Sequence, residues 1–497
     1  MSFYSYEFIF LFLPITLAAA AGFRWIGNHC SGKKYGAFLY SLFLIGISLL
    51  FFGWNDPAGL PILIASIVLN YICGRLCGFG KHRSICLTTG LFLNLGTLAF
   101  FKYTGIPGHA PLGISFFTFT QIAYLMECYR GTIKEIPFTE YSVYVTFFPK
   151  LAQGPIALPD DFLLQLSKGQ ISKALFKTID GVNWERIYRC LALFIFGLFK
   201  KVLLADTLGK AVDWGYASLS SLSSGDGLIV MLSYTLQLYF DFSGYCDMAM
   251  GIAGLFGIEL PLNFDSPYKA CDIIDFWSRW HITLTRFFTR YLYIPLGGNR
   301  KGKVRTYLNC LIVFFLSGIW HGAGLTFIIW GLMHGILYVI TRARKDFRKP
   351  EMTLEKPKKT SLEKFRKSVG VLLTFFYVNI AWIFFRAPSV KDALTLLKTI
   401  FRFSFGKINP SLIDCFHMDE FWYMIKVLKI DQWQYAHGII MALVLGASLL
   451  IVFAGKNAFR YVKDMKPGIC NTLLLVLLLV WSVFSFSGVS SFLYVNF

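Results

Sequence analysis

Two stretches determine how this chain is interpreted: DFWSRWHITLTRFFTRYLYIPLGGNR, residues 275–300, and FLSGIWHGAGLTFIIWGLMHG, residues 315–335. Each contains a Trp-His pair, Trp280-His281 in the first and Trp320-His321 in the second, in or beside apolar sequence. An ionisable ring in such surroundings is energetically costly and usually serves a chemical purpose. A histidine held inside a membrane indicates proton or acyl chemistry carried out there.

The composition places these stretches in a membrane protein. Of the 497 residues, 56% are hydrophobic and 15% are charged, whereas soluble domains carry about 25% charged residues. The net charge of +20 is explained by the basic loops that fix membrane orientation, so no nucleic-acid partner is expected. The eleven cysteines show no metal-ligand spacing, and we predict free thiols and no metal site.

Apolar stretches recur along the whole chain. A spanning helix needs about 20 mostly apolar residues. We predict an all-α polytopic membrane protein with roughly ten to twelve spanning helices, plus re-entrant and interfacial helices. The candidate spans centre on Phe8–Ala21, Phe38–Gly53, Leu60–Cys73, Ile85–Phe101, Pro111–Met126, Leu191–Leu204, Leu228–Phe242, Leu308–Ile319, Leu325–Ile340, Val369–Phe385, Gly438–Phe453 and Leu473–Phe486.

Loop charges predict the orientation. Basic residues follow the first, third and fifth spans, whereas the loops at 55–59 and 104–110 carry one acid and no Lys or Arg. Basic loops face the cytoplasm, so the N-terminus is predicted to lie on the outer side. The membrane itself is predicted to be the inner or plasma membrane. The segment 342–367, with eleven Lys or Arg against four Asp or Glu, is predicted as a basic cytoplasmic loop.

Two regions are apolar but irregular. FFPKLAQGP at 147–155 contains Pro, Gly and Gln, and the region 236–267 contains Asp241, Asp247 and Glu259. Irregular polar backbone at membrane depth persists only when it is buried in protein or lines a wet cavity. We therefore predict that both are re-entrant segments around a central chamber.

The residues from Asp272 to Tyr293 have the period of one amphipathic helix. Arg279, Arg286 and Arg290 fall on one stripe, which would face head groups or an anionic ligand. His281 falls on the opposite, apolar face. It is either a core histidine or a second polar group of the reaction chamber, and the pattern leaves both open.

His321 stands at a break between two apolar segments, beside Gly318 and Gly322. Glycines allow another group to approach the backbone closely, and a neutral imidazole can act as a base. His334, in WGLMHG, has a packing role or a chemical one, and the sequence does not decide between them. The turn GGNR at 297–300 is alone too weak to indicate a phosphate site.

The two opening stretches resemble the membrane-bound O-acyltransferase family, and within it the bacterial branch that contains the alginate O-acetyltransferase membrane subunit. Three further stretches carry the same resemblance: PLGISFFTFTQIAYLMECYRG at 111–131, FFPKLAQGPI at 147–156 and LYFDFSGYCDMAMGIAGLFGIELPLNFDSPY at 238–268. Together they form a signature core at about 111–335, within a single integral membrane domain covering 1–497.

The resemblance implies a ring of helices around a funnel, with His321 as the catalytic histidine and His281 as the second signature position. It implies that an acyl group, most simply acetyl, leaves a cytoplasmic thioester, acetyl-CoA or an acyl carrier, and becomes an ester on an exported or cell-surface polysaccharide. No bound cofactor is expected, and the expected partners are membrane lipids and an extracytoplasmic acetyltransferase. Substrate binding is assigned to Trp277, Arg279, Trp280, Asp241, Asn299, Trp320 and His334.

Two other functions remain open. One is D-alanyl transfer to teichoic acid from a small carrier protein. The other is a transporter that moves an acylated intermediate without bond chemistry, in which activity would survive loss of both histidines.

Overall fold

The computed structural model describes residues 1–29, 33–79, 82–104, 110–167, 176–178, 181–347, 361–417, 426–429, 433 and 435–488. Within these ranges the chain is helical apart from a two-stranded antiparallel ribbon. The elements of the N-terminal part are α1 Leu13–His29, α2 Lys33–Asn55, α3 Leu60–Phe79, α4 Arg83–Tyr103, α5 Ile114–Arg130, α6 Phe138–Thr146, α7 Phe148–Leu151, α8 Pro159–Ser167, β1 Phe176–Thr178, β2 Gly181–Val182, α9 Trp184–Phe199 and α10 Asp206–Ala217.

The C-terminal part continues in the same way. Its helices are α11 Ser224–Leu255, α12 Ile273–Arg279, α13 Ile282–Phe288, α14 Lys303–His321, α15 Leu325–Phe347, α16 Ser361–Arg386, α17 Val390–Phe401, α18 Pro410–Asp414, α19 Ala436–Phe453, α20 Ala458–Lys463 and α21 Ile469–Phe484. Three segments have π-helical geometry: Glu7–Phe12, Lys200–Ala205 and Thr289–Tyr293.

Each predicted apolar stretch lies in a helix. Eight of the described helices are long and apolar enough to cross a membrane: Glu7–Ile26, Tyr35–Asn55, Leu60–Gly78, Arg83–Tyr103, Lys303–His321, Leu325–Phe347, Ser361–Arg386 and Ala436–Phe453. The other predicted spans correspond to α5, α9, α11 and α21, which are shorter than these or richer in polar residues. The protein is a polytopic, all-helical membrane protein, in agreement with the predicted class.

The central helix is α11, and here the prediction of a re-entrant segment at 236–267 is wrong. A capping box between Ser223 and Asp226 starts the helix, which runs unbroken for 32 residues. Only the residues after Leu255 leave the helical path. A β-carbon at Gly197 of α9 would lie 2.5 Å from the carbonyl oxygen of Gly244, so α9 and α11 pack at a distance that only small residues allow.

Two of the three acids that suggested an irregular chain, Asp241 and Asp247, are paired inside the protein, whereas Glu259 is exposed. Lys200 lies 2.6 Å from Asp247, and Lys201 lies 2.8 Å from both Asp206 and Asp241. All five side chains are buried. Because each charge has an opposite charge within hydrogen-bond distance, α11 carries its acids without leaving the helix.

The predicted helix from Asp272 to Tyr293 is in fact two helices. Asp272 caps α12 by accepting hydrogen bonds from the backbone N–H groups of Ile274 and Asp275, each at 2.9 Å. The helix ends at Arg279, and His281 adopts a left-handed conformation with φ 44° before α13 begins. A left-handed residue between two helices turns the chain, so the predicted single stripe of arginines is not formed.

The segment 147–155 is irregular, as predicted. A short helix, α7, is followed by a turn, and every residue from Phe147 to Leu158 is buried. The backbone N–H of Ile156 donates to the hydroxyl of Thr283 at 3.1 Å. This segment therefore packs directly behind α13, the helix that follows His281.

The predicted basic loop at 342–367 is shorter than expected. Residues 342–347 belong to the end of α15 and residues 361–367 to the start of α16. Lys345 forms an ion pair with Asp272 at 2.7 Å. The remainder of the predicted loop lies outside the described residues.

Candidate active site

His321 is the last residue of α14, and its side chain is only 4% exposed. Its ring lies 4.5 Å from the ring of Trp320 and 5.0 Å from those of Trp330 and Phe385, measured between centroids. A β-carbon at Gly318 would lie 2.5 Å from the carbonyl oxygen of Phe327. Gly318 thus allows α15 to fold back closely on α14. This close packing encloses the imidazole of His321.

His281 is held by a side chain that the sequence did not single out. Its Nδ1 lies 3.2 Å from Oδ1 of Asn263. The same oxygen accepts hydrogen bonds from the N–H of Thr283 at 3.2 Å and from the hydroxyl of Thr283 at 2.8 Å. A backbone N–H can only donate, so this oxygen is an acceptor and Nδ1 of His281 carries the proton.

The other nitrogen of His281 is therefore the one with a lone pair. Nε2 is buried and has no hydrogen-bond partner among the described residues. A buried Nε2 with an unengaged lone pair is compatible with both interpretations of His281, so its chemical role remains a prediction.

His334 is fully buried and accepts a hydrogen bond at Nδ1 from Nε1 of Trp277 at 3.3 Å. The rings of Phe276, Trp330 and Trp382 lie 5.1–6.2 Å away. These contacts fix the orientation of Trp277, while Nε2 of His334 has no hydrogen-bond partner among the described residues, so the packing role and the chemical role both remain open.

A cavity of about 360 Å³ opens beside α12 and α13, within the size range of small-molecule sites. It is lined by Leu158, Trp277, Ser278, Ile282, Thr285, Arg286, Thr289 and Arg290. Trp277 lies 5.9 Å from Trp330, which lies 5.0 Å from His321. Neither histidine lines this cavity, and two tryptophan rings link it to His321.

The three arginines predicted to meet an anionic ligand already have partners in the chain. Arg286 pairs with Asp161 through two hydrogen bonds of 2.9 and 3.2 Å, and Arg290 lies 2.6 Å from Asp160 and 2.7 Å from Glu127. Burial opposes the charge on Arg290, but the bonds to Asp160 and Glu127 outweigh it and raise the pKa of the guanidinium. Arg279 pairs with Asp275 at 2.7 Å and does not line the cavity.

The other residues assigned to substrate binding lie in different surroundings. Trp280 is buried 5.0 Å from Trp382, and Trp320 lies 5.2 Å from Phe119. Asp241 is paired with Lys201, and Asn299 is exposed in the turn after Thr289–Tyr293. Of this group, only Trp277 lines the cavity. No cluster of His, Cys, Asp or Glu suited to a metal ion occurs in the part of the chain that the structure describes.

A multi-pass helical protein with two buried histidines, and with a ligand-sized cavity beside Trp277, fits the class of membrane-embedded enzymes. Comparison with known proteins gives the same class. The family model for the membrane-bound O-acyltransferase family, MBOAT, matches residues 97–353. The chain belongs to this family and is a membrane O-acyltransferase.

Three relatives show which branch is similar. The chain is 36% identical to a peptidoglycan O-acetyltransferase of Helicobacter pylori, over 99% of this chain and 96% of that protein. It is 33% identical to the probable alginate O-acetylase AlgI of Pseudomonas aeruginosa, over 82% of this chain and 76% of that protein. It is 29% identical to a teichoic acid D-alanyltransferase of Streptococcus thermophilus, over 55% of this chain and 68% of that protein.

Proposed function

We propose that the enzyme moves an acetyl group from a cytoplasmic thioester, acetyl-CoA or an acyl carrier, to a hydroxyl of an exported or cell-surface polysaccharide, and that it does so in the inner or plasma membrane. The observation that carries the proposal is the burial of two histidines, His321 and His281, with Nε2 of His281 unengaged by the described residues. The similarity to a peptidoglycan O-acetyltransferase over nearly the whole chain supports acetyl as the group and a glycan as the final acceptor.

The histidines supply what this reaction needs. An alcohol is a weak nucleophile at neutral pH, and a base within hydrogen-bond reach accelerates its attack by about 10²–10⁴-fold. His321 accepts the proton of the hydroxyl while the hydroxyl oxygen forms a bond to the thioester carbonyl carbon. The carbon–sulfur bond then breaks, and the proton passes to the leaving thiolate. His281 orients the reacting group through Nε2.

The cavity at α12 and α13 is the proposed entrance for the donor. Arg286 and Arg290 lie on its wall, and phosphate groups are preferred ligands of arginine. Asp160 and Asp161 already balance these charges. A donor phosphate therefore binds by exchange with a carboxylate rather than by filling an empty site.

The acetyl group reaches the polysaccharide hydroxyl either directly or by way of an extracytoplasmic acetyltransferase, which is then the immediate acceptor and completes the ester. The second candidate function is D-alanyl transfer from a carrier protein, which the similarity to a teichoic acid D-alanyltransferase supports over about half of the chain.

The identity of the acyl donor distinguishes acetyl transfer from D-alanyl transfer. Purified protein in lipid nanodiscs is incubated with an acceptor glycan and either radiolabelled acetyl-CoA or a D-alanyl carrier protein, and release of the free thiol is followed. Acetyl-CoA turnover, together with acetyl esters on surface glycans that disappear when the gene is deleted, supports the proposal. Turnover of the D-alanyl carrier with none of acetyl-CoA would overturn it in favour of the second function.

A further inference from the structure

The end of α4 touches the end of the helix that carries His321. The ammonium group of Lys102 donates a hydrogen bond to the carbonyl oxygen of Trp320. The hydroxyl of the next residue, Tyr103, donates to the carbonyl oxygen of Ile319 at 2.6 Å. Lys102 also lies 5.3 Å from the centre of the Trp320 ring.

These contacts satisfy carbonyl groups that a helix cannot satisfy by itself. The last four carbonyls of an α-helix have no partner in the helix, and those of α14 belong to Gly318, Ile319, Trp320 and His321. The N–H of Gly322 bonds to the carbonyl of Gly318 at 3.4 Å. Lys102 and Tyr103 supply the donors for the next two.

Both donors matter more here than on a water-exposed helix. Trp320 and His321 are only 8% and 4% exposed, so water has little access to a backbone group of this turn that loses its partner, and a cation at a helix C-terminus is favoured by the helix dipole. His321 follows directly on the two capped carbonyls, so the position of its ring depends on whether this last turn is formed. A misplacement of about 1 Å in a catalytic group can lower a rate by about 10²-fold.

We propose that Lys102 and Tyr103 are positioning residues for His321: they cap the last turn of α14 and thereby hold the imidazole where it reacts. The inference rests on the proposed role of His321 in acyl transfer. Neither residue needs to touch a substrate, and both act through the backbone of Ile319 and Trp320.

The test uses Lys102→Met, which keeps the length of the side chain and removes the ammonium group, and Lys102→Arg, which restores a cation. With the full-length enzyme in nanodiscs and acetyl-CoA as donor, Lys102→Met lowers kcat by about 10²-fold, whereas KM changes by less than about twofold because donor binding is untouched. Lys102→Arg recovers most of the lost kcat. Tyr103→Phe removes one of the two caps and gives a smaller loss of kcat, again without a change in KM.

Arg83 provides a matched control at the other end of the same helix. Its guanidinium donates to the carbonyls of Cys77 and Tyr129, at 2.8 and 2.5 Å, but is not connected to α14. Arg83→Met keeps the wild-type kcat per folded molecule. If Lys102→Met does not fold, Tyr103→Phe carries the test with the same control.

Two results would overturn the inference. One is a Lys102→Met or Tyr103→Phe enzyme with unchanged kcat. The other is an equal loss of kcat in Arg83→Met, which would indicate a general effect on folding. Failure of the proposed function is distinguishable, because the wild-type enzyme would then turn over no acetyl-CoA in the same assay.

Discussion

At the scale of single residues, the side chain that gives His281 its chemistry is Asn263. One amide oxygen collects three donors, two of them from Thr283, and this fixes which imidazole nitrogen carries the proton. The sequence supplied no signal for this role, because Asn263 lies 18 residues before His281 in a stretch that looked merely irregular. The contact exists only because the chain turns at His281.

The exchange Asn263→Leu tests this assignment. The leucine has a similar size but no acceptor, so the imidazole loses its fixed tautomer and kcat falls by up to about 10²-fold. The exchange Asn263→Asp keeps an oxygen in place and retains much more activity. Steady-state kinetics on folded protein in nanodiscs compares the two, and equal activity of Asn263→Leu and wild type would contradict the role of Asn263.

At the scale of secondary-structure elements, the sequence predicted the helices well and their interruptions poorly. The length of the apolar stretches in the sequence located the long apolar helices among the described residues, because length and apolarity are local properties. The break at His281 has no Gly or Pro to announce it. Conversely, the acids of α11 predicted a break that does not occur, since their partners Lys200 and Lys201 lie 47 and 40 residues away along the chain.

The candidate site, too, could be predicted only where local sequence properties determine it. The glycines around His321 predicted that another group approaches the backbone closely, and α15 makes that approach at Gly318. Periodicity placed Arg279, Arg286 and Arg290 on one face, whereas the turn at His281 separates Arg279 from the other two. Lys102 could not be recognised in the sequence, because it looked like the basic end of an ordinary span.

The arginines of α12 and α13 provide a test of the donor cavity. Arg286 lines the cavity and Arg279 does not, although each pairs with a carboxylate. We expect Arg286→Gln to raise the KM for acetyl-CoA by about tenfold, the loss of one charge-assisted hydrogen bond, with little change in kcat. Arg279→Gln is the control and leaves KM near the wild-type value. Equal effects of the two changes would exclude the cavity as the donor entrance.

At the scale of the whole molecule, the end of the helix bundle that carries Lys345 and Arg460, called the basic end below, determines the proposed direction of transfer. Lys345 and Arg460 lie at this end, where they pair with Asp272 and Asp265. His321 lies at the far end of α14 from Lys303. A donor entering at the basic end is therefore brought through the bundle toward the other face, past Trp277 and Trp330.

Cys470 allows this orientation to be measured. It is an exposed free thiol at the start of α21, which begins shortly after the basic residues of α20. If basic loops face the cytoplasm, a membrane-impermeant maleimide labels Cys470 in inside-out vesicles and not in intact cells. The Cys470→Ser variant controls for labelling of other thiols. Labelling of Cys470 from outside intact cells would reverse the proposed direction of transfer.

The account as a whole depends on the imidazole of His321, and its removal is the most direct measurement. Acetyl-CoA turnover is compared between His321→Ala and His437→Ala, a change at a partly exposed histidine paired with Asp414, both as folded protein in nanodiscs. The account predicts a loss of about 10²–10⁴-fold in kcat for His321→Ala and wild-type activity for His437→Ala. Wild-type turnover by folded His321→Ala protein would contradict it.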